Sequence, residues 1–96
     1  MNYKQFLYYK LAEEATEVSH AAIKCAMYTP ETKSKNGELT RAAELRMELM
    51  DLVATINCLE ELDEDLDIDL ELVPAKMLKT KNCYERSKGL WNNATL

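Results

Sequence analysis

Apolar residues recur along the first quarter of the chain at the spacing of one helical face. Phe6, Leu7, Leu11, Ala15, Val18, Ala22 and Cys25 predict a helix from about Tyr3 to Met27. A polar stretch from Tyr28 to Glu38, with Pro30 and the Asn36-Gly37 pair, interrupts it. Leu45, Leu49, Leu52, Ile56 and Leu59 then share one side of a second helix, about Leu39 to Leu62, with Thr40 and Glu44 suited to its first turn. The acidic stretch Asp63 to Glu71 reads as a linker. A third helix is expected to begin between Leu70 and Pro74, since proline is tolerated in a first turn. It should end near Lys88, before Gly89, leaving a tail ordered in part through Trp91 only. The fold class is all-α: a helical hairpin plus a third helix, in a single domain over residues 1–96. Apolar stripes this wide on so short a chain favour assembly into a four-helix-bundle-type dimer or tetramer.

One feature of the first stripe breaks its own rule. At roughly 100° per residue, Leu7, Leu11, Val18 and Cys25 all fall within about 60° of Glu14 on the helical wheel. An unpaired carboxylate on a packed face costs several kcal/mol or titrates to neutral, so positive charge is required nearby. The second helix repeats the anomaly, because Glu48 lies within about 60° of Leu45, Leu52 and Leu59.

Composition narrows what that charge is for. A content of 47% hydrophobic and 30% charged residues is that of an ordinary globular protein. A net charge of −5 argues against nonspecific nucleic-acid binding, while leaving open a nucleotide held through cations between carboxylates and phosphates. Cys25, Cys58 and Cys83 are odd in number and widely spaced, which fits neither a disulfide framework nor a CxxC metal site. No secretion-type leader is evident, and no apolar run approaches the ~20 residues of a membrane span. A cytoplasmic protein with reduced thiols and no membrane partner is expected, so the sequon at Asn93 to Thr95 is a chance match.

Two acidic patterns are set aside. Alternating Asp63, Asp65, Asp67 and Asp69 suggests a calcium loop, but the positions that need glycine and glutamate hold Ile68 and Pro74. Glu17 to His20 is an ExxH element of the kind di-iron bundles use twice, yet His20 is the only histidine. The stronger constellation pairs the two long helices. Glu14 with Glu17, and Glu48 with Asp51, are each three residues apart and share a face, forming two carboxylate clamps. No lysine is expected on these stripes beside the acids. Divalent cations with oxygen ligands therefore fit best, and Mg²⁺ in particular takes a few carboxylates together with phosphate oxygens. The bland alternative is an amphipathic helix pair with acids on its shoulders, as in a dimerisation or adaptor module.

The run "EEATEV" followed by "ELMDL" resembles the EExxE…ExxD signature of the MazG-like, all-α nucleoside triphosphate pyrophosphatases. The likeness extends over nearly the whole chain, in the order and length of small phage-type members: "EEATEVSHAAIKCAMY", a polar loop, "LRMELMDLVATINCLEEL", then "AKMLKTKNCYERS". It departs at "ELMD", where Met50 replaces a glycine often seen there. The resemblance implies Mg²⁺, with Mn²⁺ as a substitute, bound by Glu14, Glu17, Glu48 and Asp51, the four acids already singled out. It implies catalytic roles for Glu14 and for Glu13, the latter in the outer shell or orienting water. Lys24 and, on the third helix, Lys79 and Lys76 are its candidate substrate contacts, and Tyr28, Trp91 and Asn57 are available for a base. The implied reaction is hydrolysis of a nucleoside triphosphate to the monophosphate and pyrophosphate by a homodimer or homotetramer. Close relatives directed at dUTP or phosphoribosyl-ATP share these acids. Met27, Met47 and Met50 are expected to pack in the core or a dimer contact.

Overall fold

The computed structural model describes residues 1–34, 37–62, 66 and 68–94, with side chains as far as Lys88. Among them the chain is all-helical, in the order α1 (Tyr3–Tyr28), α2 (Arg41–Glu60), a single 3-10 turn (Leu70–Leu72) and α3 (Val73–Ala94). It divides into two compact units, Met1–Leu66 and Asp67–Leu96.

The first unit is a hairpin of α1 and α2. Asn2 opens α1 with a reciprocal capping box: its side chain accepts from the Gln5 amide at 2.8 Å, and the Gln5 side chain accepts from the Asn2 amide at 3.1 Å. Tyr3 meets Cys58, Glu17 meets Glu48, and Tyr28 meets Arg41, so the helices run antiparallel. Thr29 ends α1 at φ 75°, a left-handed conformation that a β-branched residue adopts only under strain. The connection is held by several short bonds. Arg41 N–H donates to the Thr32 carbonyl at 2.8 Å, Ala42 N–H to the Pro30 carbonyl at 3.0 Å, and Lys33 forms an isolated antiparallel bridge with Thr40. The Arg41 guanidinium lies over the Tyr28 ring, 4.4 Å from its centre.

Thr40 is the N-cap of α2, its hydroxyl accepting from the Ala43 amide at 3.1 Å. Gly37 is required by close approach: a Cβ there would stand 2.4 Å from the Ser34 hydroxyl and 3.2 Å from the Glu44 carboxylate. Those two side chains are bonded to each other at 2.7 Å, which ties the loop to the first turn of α2.

The seam between α1 and α2 is narrow. Leu7 and Leu59 are its buried apolar residues, and Glu14 and Thr55 its buried polar ones. Leu11, Val18 and Cys25 on α1, and Leu45, Leu52 and Ile56 on α2, flank it half-buried. Phe6, Ala15, Ala22 and Leu49, expected on the core stripes, are exposed instead. A single helix–helix seam covers less than the full arc of either stripe. It leaves Ile23, Met27, Met50 and Val53 open to solvent as well.

In the second unit the 3-10 turn leads into α3. The Asp69 side chain caps the turn by accepting from the Glu71 amide at 2.9 Å. Pro74 lies in the first turn of α3, as expected. The expected stop at Gly89 does not occur, because α3 continues to Ala94. A glycine inside a helix costs only about 1 kcal/mol, and no proline follows it to break the ladder. The calcium-loop positions Asp63, Asp65 and Asp67, and the turn residue Asn36, lie outside the described residues, as do the Trp91 side chain and Thr95.

Candidate metal centre

Glu14 is 5% exposed, and burial at that level is what its place in the apolar stripe predicts. The seam brings it to Glu17 on the same helix and Glu48 on the facing one. One carboxylate oxygen from each lies within 4.8 Å of the others. On two of these three residues one oxygen, Glu14 Oε2 and Glu48 Oε2, is buried with no hydrogen-bond partner among the described residues. Buried acceptors in proteins are nearly always paired, and these two oxygens could accept from a donor or take a cation.

Glu48 carries the electrostatic signature of this crowding. Its pKa is raised above the ordinary carboxylate value by a hydrogen bond shared with Glu17, then by burial, then by the negative charges of Glu17, Asp51 and Glu14. The donor set is carboxylate oxygen throughout, which suits a hard divalent cation such as Mg²⁺ or Mn²⁺ and not a thiophilic metal. The residues present therefore fit the metal implied by the sequence.

The cluster opens into a crevice of about 410 Å³ between the helices, running toward the hairpin connection. Glu17, Glu48 and Asp51 line its acidic part, and Lys24, Glu44, Leu39 and Met47 line it farther along. Asp51 thus shares the crevice while standing outside the tight group of three oxygens. Thr55 is buried beneath it, its hydroxyl donating to the Asp51 carbonyl at 3.1 Å. Lys24 stands on the crevice wall, as a phosphate contact would require. Lys79 stands on α3, beside Leu78, Asn82 and Glu85 in the second unit. Glu13 points to solvent.

The expectation that no lysine shares the acid-bearing stripe is overturned. Lys10 Nζ lies 3.2 Å from Glu14 Oε1 and 3.1 Å from Glu13 Oε1. The signal was present in the sequence: Lys10 precedes Glu14 by four residues, about 40° away on the wheel. Its side chain is 37% exposed, and a lysine stem is long enough to bring the ammonium to both acids. Those contacts, with Glu13 first, raise the Lys10 pKa.

His20 and Glu44 also line the crevice without having been singled out as part of it. His20 follows Glu17 by three residues and Glu44 precedes Glu48 by four, the two spacings that share a face. Met47, expected in packing, belongs to the crevice wall. Asn57 instead joins Leu49, Met50 and Val53 on a separate apolar patch of α2. No helix is long and apolar enough to cross a membrane among the described residues. Comparison with protein-family models, curated proteins and solved structures yields no match to this chain.

Proposed function

We propose that the chain is a Mg²⁺-dependent nucleotide pyrophosphohydrolase of the MazG-like kind, converting a nucleoside triphosphate to its monophosphate and pyrophosphate. One observation carries the proposal: three carboxylates from two helices converge within 4.8 Å, with two buried oxygens left unpartnered. A purely structural hairpin has no reason to concentrate like charge in its seam. Bound there, the cations would polarise phosphate oxygens and lower the pKa of a water. Glu14 would hold the cations from the buried side, and Glu17, Glu48 and Asp51 would do so from the crevice wall. Lys24 neutralises phosphate charge along the same wall, and Glu13 contributes from the outer shell. A crevice of about 410 Å³ suits a small-molecule substrate.

Self-association belongs to the same proposal. The apolar side chains exposed on α1 and α2 are those a second hairpin would cover, as in a four-helix bundle. An obligate contact of roughly 2,000 Å² or more is expected, and light scattering should return a multiple of 11.0 kDa. Those same faces also suit a non-catalytic dimerisation module, which would leave the acids idle.

The test is a panel of nucleoside triphosphates and diphosphates, dUTP and phosphoribosyl-ATP included, incubated with Mg²⁺ and resolved by product. Release of pyrophosphate with the monophosphate is expected for at least one triphosphate. No turnover across the panel would favour the dimerisation module, and release of orthophosphate alone would overturn pyrophosphohydrolysis in favour of cleavage at the terminal phosphate.

A further inference from the structure

Lys10 carries an inference that rests on the cation site just proposed. Its ammonium is nearly equidistant from two carboxylates in different surroundings. The Glu13 side chain is 57% exposed and the Glu14 side chain only 7%. Glu14 meets Lys10 through Oε1, while its Oε2 is buried without a hydrogen-bond partner among the described residues, and the same carboxylate belongs to the group formed with Glu17 and Glu48. The ammonium therefore engages the cluster from one side and leaves the other oxygen for a ligand.

We propose that Lys10 is the resident counter-cation of the acid cluster, which neutralises Glu14 when no metal is bound and competes with the metal that enters. Glu13 is its alternative seat. Because both carboxylates are already within bonding distance, release from Glu14 needs only a small movement of a flexible stem. Lys10 is on this account a positioning residue, acting through Glu14 and setting how tightly the site loads. A divalent cation on the free oxygen of Glu14 stands close to the ammonium, and the two repel. A purely structural ion pair makes the opposite prediction, since losing it would loosen Glu14 and weaken metal binding.

The signs of two substitutions separate these possibilities. Lys10→Met keeps the stem and removes the charge. Glu13→Gln, at an exposed position, weakens the alternative seat and holds Lys10 on Glu14. Mn²⁺ binding is read by electron paramagnetic resonance of the free ion, without nucleotide and without turnover. Lys10→Met should bind Mn²⁺ about tenfold more tightly than the unaltered chain, and Glu13→Gln a few-fold less tightly. Unchanged or weaker binding by Lys10→Met overturns the proposal. If that variant fails to fold by circular dichroism, unchanged or tighter binding by Glu13→Gln overturns it alone. An unaltered chain that binds no Mn²⁺ removes the cation site itself. Normal binding with unresponsive variants removes only the role of Lys10.

Discussion

α1 and α3 carry the same kind of charge pair in different settings. On α3, Lys88 bonds Glu85 three residues away at 3.3 Å, with side chains 48% and 66% exposed. On α1, Lys10 bonds Glu13 at the same spacing and 3.1 Å, and both groups are again well solvated. Such pairs contribute little to stability. One residue farther along α1, a turn of about 100° carries Glu14 into the seam, where Lys10 reaches only one of its oxygens. Helical rotation, more than acidity, separates surface decoration from a candidate site.

That contrast is sharpest in turnover. Asp51→Asn and Glu48→Gln keep shape while removing a charge from the crevice. Each should lower the rate of nucleotide hydrolysis by a factor on the order of 10² or more. Glu85→Gln on α3 and Glu61→Gln past the end of α2 remove exposed acids and should leave the rate unchanged. Equal effects from both sets would dissolve the distinction between the two regions.

Stability should divide along the same line. Leu59 is completely buried in the seam, and Leu59→Ala should cost about 2–5 kcal/mol in urea unfolding. Leu78 on α3 is 60% exposed, and Leu78→Ala should stay within about 0.5 kcal/mol. A large loss at Leu78 would show that α3 is covered in the assembled protein.

A smaller effect follows from Glu48. Its pKa is raised on folding, so the folded chain binds that proton more strongly than the unfolded chain does. Without metal, this contribution to stability is absent at neutral pH. It appears as pH falls through the raised folded value and is complete below the ordinary carboxylate value. Glu48→Gln mimics the protonated side chain and should be the more stable form at neutral pH in EDTA. The unaltered chain should close that gap as pH falls, as urea midpoints would record. A gap that widens toward acid contradicts the repulsion within the cluster.

Much of this arrangement was legible from rotation alone. Leu59 and Glu14 each lie where the wheel puts them, and both long helices begin and end within about two residues of their expected bounds. What escaped depends on reach or on partners outside the helix. Lys10 enters the cluster by the length of its side chain. Glu44 is fixed by Ser34, ten residues earlier in a loop that periodicity does not describe. Phe6 and Leu49 count as apolar on the wheel, but one seam between two helices cannot cover both edges of either stripe. Gly89 suggests a stop that the backbone does not need.

The central claim is that the acids gathered at the hairpin seam exist to hold divalent cations, and thermal melting tests it most directly. A cation that binds only the folded chain stabilises it by mass action, about 1.4 kcal/mol at ten times its dissociation constant. For a chain of this size that shifts the midpoint by roughly 7 °C. The unaltered protein should melt several degrees higher in millimolar Mg²⁺ or Mn²⁺ than in EDTA, and Glu48→Gln should lose most of that rise. Superimposable melts of the unaltered protein with and without the cation would contradict the claim.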